Sequence, residues 1–216
     1  MSEGVPVLVD AAGQLPPASN LKTFLAAGAD LVAFIGGKAI GGPQGSGILC
    51  GRRDLIMSAI RQNLDLDIEW QQWTPPPSLI DKARLTGLPP HGIGRSCKVG
   101  KETVVGLMVG LRRFAAESDK ARPAVWQARI EKLAAELSGP VSIRPGVVPK
   151  LALTLKTGSA MQLCIALQNG EPSIHVDPSE AANGTLIFDP ACLKDSDVPA
   201  LARRVNTLVG RGSQNP

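Results

Sequence analysis

Leu31-Val32-Ala33-Phe34-Ile35-Gly36-Gly37-Lys38-Ala39-Ile40-Gly41-Gly42-Pro43-Gln44-Gly45-Ser46-Gly47 is the stretch that decides the fold. Its first five residues are an unbroken apolar run, which predicts a strand buried on both faces, as in a parallel sheet. Upstream, Val5-Pro6-Val7-Leu8-Val9 is a second such run, ending at Asp10. Between the two, residues 20–27 show a helical pattern closed by Gly28, which fits a C-cap. Strand, helix and strand make a β-α-β unit with parallel strands and a right-handed crossover. Asp10 and Lys38 are therefore expected on one edge of the sheet, the edge where open α/β sheets bind ligands.

Reading outward, residues 48–50 predict a further short strand and residues 53–63 a helix. Residues 71–95 hold Pro75-Pro76-Pro77 and Pro89-Pro90 and should be mostly extended and irregular. From Lys101 to Phe114, the residues Val104, Val105, Leu107, Met108, Leu111 and Phe114 fit one wide helical face. A second helix is expected over 124–137, with Pro123 separating or kinking the two. In the tail, residues 150–156, 161–167, 173–176 and 185–188 read as short strands, and 198–209 as a closing amphipathic helix. The expectation is an α/β large domain over 1–115, a partial three-layer α/β/α arrangement with a connecting helix, and a small α+β domain over 116–216.

Composition narrows the function classes. Lys and Arg number 23 against 19 Asp and Glu, a mild and dispersed excess that argues against a nucleic-acid surface. Three Trp, four Phe and no Tyr leave few rings for base stacking. Cys50, Cys97, Cys164 and Cys192 lack metal-ligand spacing, so no metal site is expected and the thiols read as free. The first residues show no leader pattern and no run approaches a membrane span, which predicts a cytoplasmic protein. His91 and His175, the only histidines, stand too far apart for a metal site or a triad, and His91 reads as a loop residue without a role, the alternative being an approach to the active site beside Arg95.

The glycine-rich loop does not fit the common phosphate motifs. A P-loop needs glycine where Val32 stands and Ser or Thr where Ala39 stands, and Gly45-Ser46-Gly47-Ile48-Leu49-Cys50 lacks the last glycine of a dinucleotide fingerprint. A lysine at the end of a buried strand, flanked by glycines, is instead where a Schiff-base lysine belongs, because partial burial there favours the neutral amine. An aspartate at the neighbouring strand end could pair with a pyridinium nitrogen. The residues alone leave open the alternative of a surface lysine and a capping aspartate.

Residues 7–17 and 28–52 together resemble the family of selenocysteine synthase, the L-seryl-tRNA(Sec) selenium transferases, whose relatives include D-glucosaminate-6-phosphate ammonia-lyase. The resemblance resumes over 91–102, His91-Gly92-Ile93-Gly94-Arg95-Ser96-Cys97-Lys98-Val99-Gly100-Lys101-Glu102. It implies a fold-type-I enzyme dependent on pyridoxal 5'-phosphate, with Lys38 forming the internal aldimine and Asp10 facing the pyridine nitrogen. It places the Pro43-Gln44-Gly45 loop near the cofactor phosphate. Arg95 and Lys98 fall where the family has active-site basic residues, which suggests an anionic substrate group; a basic pair on the surface before a helix is the alternative.

Three departures shape the expected activity. Ile35 stands where relatives usually have a serine that helps hold the phosphate, and Lys98 stands where the selenium transferases have arginine, which favours the lyase branch because the two side chains are not interchangeable. Nine residues precede Asp10, where the family has a long segment with the first strands of the sheet, so the chain reads as the C-terminal part of such an enzyme. The implied function is a lyase-type α,β-elimination on an amino acid or amino sugar acid, in a homo-oligomer. An inactive remnant or subunit-docking fragment, and a selenium transferase, are the alternatives.

Overall fold

The computed structural model describes residues 4–88 and 92–212. It divides into two compact units, Met1–Ser118 and Asp119–Pro216, with the break between two long helices. His91 lies outside the described residues.

The first unit contains β1 (Leu8–Asp10), α1 (Asn20–Ala26), β2 (Leu31–Ile35), β3 (Gly47–Gly51), α2 (Arg53–Gln62) and α3 (Lys101–Ala116), with short 3-10 turns at Lys82–Arg84 and Ile93–Cys97. The β-α-β unit is present, with β1 parallel to β2 and Asp10 opposite Ala33. Helix α1 ends as its sequence predicts. Gly28 adopts a left-handed φ of 103°, its N–H donates to the Leu25 carbonyl and the Ala29 N–H donates to the Phe24 carbonyl. These two bonds form a Schellman motif, in which a residue without a side chain tolerates the reversal.

The sheet runs in the order β1-β2-β3, and β3 is antiparallel to β2. It is mixed rather than purely parallel, and this changes the expected burial. Only one face of β2 is covered: Val32 and Phe34 are 1% and 3% exposed, and Phe34 meets Phe24 of α1 at 6.5 Å between rings. β1 is an edge strand, and Val5 and Leu8 are 70% and 62% exposed instead of buried. An open groove lined by Val7, Val9, Phe24 and Gly28 runs beside it.

At the opposite end of these strands Arg52 ties three elements together. Its guanidinium donates to Asp30 at 2.9 Å and to both carboxylate oxygens of Asp54, at 3.0 and 2.6 Å. The bidentate bond from Arg52 holds the Asp54 carboxyl well below its usual 3.8, at about 2. Asp30 is lowered first by the Val7 N–H that it accepts and then by Arg52. A depressed carboxylate adds stability that is present above its unfolded value and lost as pH falls through the folded one. The thermal midpoint should therefore drop between pH 3.8 and about 2. Asp54→Asn should flatten that drop in an acid titration followed by circular dichroism.

The described residues between α2 and α3 are mostly irregular, as Pro75-Pro76-Pro77 leads one to expect, yet they have an anchor. The Lys82 amine donates to the carbonyls of Trp70 and Trp73 at 2.7 and 2.6 Å and sits 4.6 Å from the Trp70 ring centroid. Lys82→Met keeps the stem but removes two charge-assisted bonds and the ring contact. A local cost of about 2–3 kcal/mol is expected, read as a red-shifted tryptophan emission and faster amide exchange over 70–84.

The second unit contains α4 (Ala121–Glu136), β4 (Val141–Arg144), β5 (Lys150–Thr154), α5 (Ala160–Gln168), β6 (Thr185–Phe188) and α6 (Val198–Gly212). Its antiparallel sheet has the order β4-β5-β6, and its core includes Ile130, Leu133, Leu151, Leu167, Leu186 and Val205. Three expectations fail here. Residues 161–167 lie in α5, not in a strand: a short apolar run is ambiguous between the two, and the Ser159 hydroxyl, accepting the Gln162 N–H at 3.3 Å, caps it as a helix. Residues 173–176 form no strand, and β4 takes the place beside β5. Pro123 neither separates nor kinks α3 and α4; it sits in the first turn of α4, where its missing N–H has no partner to lose.

Candidate functional site

The connection from β2 to β3 is folded tightly on itself. The Gly36 N–H donates to the Ser46 carbonyl at 2.8 Å, and the Gly36 carbonyl accepts from the Gly42 N–H at 2.8 Å. Ser46 is buried, and both its N–H and its hydroxyl donate to the Pro43 carbonyl. The two glycines before the lysine are needed for this closeness. A methyl group on Gly36 would lie 2.0 Å from the Ser46 hydroxyl, and one on Gly37 would lie 2.6 Å from the Gln44 Cα.

Helix α3 braces the loop from behind. A Cβ on Gly106 would meet Pro43 at 2.8 Å, and one on Gly110 would meet the Ile40 carbonyl at 3.0 Å. The absent side chains let the helix backbone lie against the loop. The expected wide face of α3 is consequently divided: Gly110 and Phe114 are buried, whereas Val104, Val105 and Met108 point outward with Val109.

Lys38 lies in the bend after β2 and is exposed, not partly buried as expected. Asp10 is the last residue of β1 and also exposed; its Oδ1 accepts the Ala12 N–H at 3.0 Å, an Asx turn that fixes the carboxylate at the strand end. Because β1 and β2 are parallel, both residues leave the sheet at the same edge. Gln44 is exposed but packs over Gly37, next to Lys38, while Gly45 has open space around its Cα.

Arg95 and Lys98 flank the end of the 3-10 turn that precedes α3. Both are ion-paired to one carboxylate, Asp65, with the Arg95 Nε 2.8 Å from Oδ1 and the Lys98 amine against Oδ2. The turn is seated on the end of α2 through Gly92 and Gly94, where a Cβ would strike the Gln62 carbonyl at 2.0 Å and the Asn63 amide at 2.4 Å. Asp65 went unrecognised in the sequence, because nothing local in Leu64-Asp65-Leu66-Asp67 marks one aspartate as the partner of side chains from a distant segment. Among the described residues no group of His, Cys, Asp or Glu could hold a metal ion, and no helix is long and apolar enough to cross a membrane. A cavity of about 420 Å³ in the second unit is lined by Leu153, Leu163 and Thr157 among others and contains none of these residues.

Residues 4–67, which hold the β-α-β unit and the lysine loop, match the family model described as "SelA: L-seryl-tRNA selenium transferase". This stretch resembles the L-seryl-tRNA selenium transferase family. Over almost its whole length the chain is 31% identical, across 218 residues, to 5'-C-glycyluridine monooxygenase-decarboxylase of Streptomyces sp, covering 95% of this chain and 47% of that protein. It is 23% identical over 231 residues to D-glucosaminate-6-phosphate ammonia lyase of Salmonella typhimurium (strain 14028s / SGSC 2262), covering 94% of this chain and 49% of that protein. The solved structure of a D-glucosaminate-6-phosphate ammonia-lyase superposes with a TM-score of 0.66 at 21% identity, covering 97% of this chain and 50% of that one. The fold is thus the α/β fold of the fold-type-I enzymes. The chain spans about half the length of the curated relatives it matches.

Proposed function

We propose that this chain forms the lysine-bearing part of a pyridoxal-phosphate-dependent lyase acting on an amino acid or an amino sugar acid. The observation that carries the reading is the parallel pairing of β1 and β2, which delivers Asp10 and Lys38 to one edge of the sheet. The donor set fits the cofactor: an exposed amine for its aldehyde, a carboxylate on the adjacent strand end for its ring nitrogen, and an open glycine turn at Gln44 and Gly45 for its phosphate. When bound, the cofactor supplies an electron sink for negative charge at a substrate Cα.

The chain's own groups have distinct tasks. Lys38 would hold the cofactor, yield it to the substrate amine and then take the proton from Cα. Asp10 would keep the ring nitrogen protonated. Arg95 and Lys98 would hold a carboxylate or phosphate of the substrate. Departure of a β-substituent, followed by hydrolysis, would give ammonia and a keto acid. The reading includes a cytoplasmic homo-oligomer; the four free cysteines and the outward Val104, Val105, Met108 and Val109 of α3 are consistent with it.

Mixing the chain with pyridoxal phosphate, reducing with borohydride and mapping the modified peptide tests the proposal, with ammonia release as the activity readout. Modification at Lys38 with turnover supports it. No bound cofactor at all would leave the chain a non-catalytic piece that docks on another subunit. A second reading, in which the bond broken at Cα leads to a carboxylate, is favoured by the higher identity to the monooxygenase-decarboxylase; carbon dioxide rather than ammonia would then be released. Selenium transfer is the less favoured branch, since Lys98 lacks the planar fork of an arginine.

A further inference from the structure

The two cations assigned above to the substrate share a carboxylate that the function does not use. Asp65 is the most enclosed of the three, with its side chain 14% exposed, whereas Arg95 and Lys98 are 49% and 65% exposed. An open groove lined by Asn63, Leu64, Asp65, Cys97, Lys98 and Val99 lies beside them. The anchored carboxylate draws two like charges to one rim, which would otherwise repel, and offsets part of their charge.

We propose that Asp65 tunes the specificity of this anion site: with it in place, the preference for a doubly charged phosphate over a singly charged carboxylate is reduced. The inference rests on Arg95 and Lys98 being the substrate's anion site. Asp65 repels each negative charge a ligand brings, so it weakens a phosphate dianion about twice as much as a carboxylate. Selectivity is a difference between two affinities, and here the repulsive partner is built into the site. Lys98 offers three donors on a flexible stem and Arg95 a planar fork, so the trio can re-aim its donors without losing its charge count.

A chemical-shift titration of the full chain with acetate and with inorganic phosphate, at a pH where phosphate is doubly ionised, tests this. The ratio of the two Kd values in wild type is the reference. Asp65→Asn should move the ratio of the two Kd values about tenfold toward phosphate, the effect of one unit charge at contact distance on a half-exposed site. Lys98→Met, on a mostly exposed side chain, should move the ratio the other way. Parallel weakening of both ligands in Asp65→Asn, which a merely structural aspartate would give, overturns the inference. If Asp65→Asn does not fold, an unchanged ratio in Lys98→Met overturns it alone. If the double variant Arg95→Gln, Lys98→Met retains both affinities, the substrate-anion role fails first, whatever Asp65 does.

Discussion

Lys38→Ala is expected to abolish cofactor attachment, with no borohydride-stable label anywhere in the chain and no visible absorbance from bound pyridoxal phosphate. The change removes the amine that the fold brings to the carboxyl edge of the β1-β2 pair, the edge that also carries Asp10. Loss of the same group as proton acceptor should lower any turnover by at least on the order of 10³-fold. Lys38 is exposed and lies in a bend, so the substitution should leave the folding stability within about 0.5 kcal/mol of wild type. That contrast between chemistry and stability separates a functional lysine from a structural one. A label that persists at another lysine in Lys38→Ala would refute the assignment.

Gly37→Ala should have nearly as large an effect by a different route. The added methyl would stand 2.5 Å from the Gln44 Oε1 and 2.6 Å from the Gln44 Cα. A side-chain oxygen can swing away, but a backbone carbon can retreat only if the turn at 43–46 opens. Opening it breaks the Ser46 bonds to the Pro43 carbonyl and shifts Lys38 away from its place after β2. The expected result is a local destabilisation of about 1–3 kcal/mol and labelling of Lys38 that falls by an order of magnitude or more. Gly13→Ala is the control: no atom lies within 4 Å of its methyl, so it should label like wild type. Equal labelling in Gly37→Ala and Gly13→Ala would show that the tight turn does not position the lysine.

The contrast between what the sequence disclosed and what it concealed follows from the range of the interactions. The β-α-β unit was legible because it is encoded locally, in two apolar runs and in a glycine that closes α1 through bonds within a few residues. Lys38, Asp10, Gln44 and Gly45 sit inside that local code. Residues 161–167 were misread because an apolar run of that length fits a buried strand or a buried helix, and the deciding bond from Gln162 to Ser159 lies at its margin. β4 escaped notice because only one of its residues is even half-buried, so it lacks the apolar run that marks the other strands. The exposure of Lys38 and of β1 depends on which strands stand beside them, and composition cannot report that. Asp65 was invisible for the same reason: its partners come from another segment, brought near only by the glycines that seat the 93–97 turn on α2.

Among the described residues β1 has a single neighbour, and Leu8, with Val5 and Val7 just before the strand, faces solvent. An edge with unpaired backbone groups and β-branched apolar side chains, unprotected by lysine or a bulge, is a template for another strand. Its practical consequence is colloidal. At rising concentration, identical edges compete for one another, so the purified chain is expected to polymerise edge to edge, with a lag that shortens on concentration. A lysine introduced at Leu8, whose side chain already points into water, should act as a gatekeeper and keep the chain dispersed without disturbing the parallel pairing on the other side of the strand.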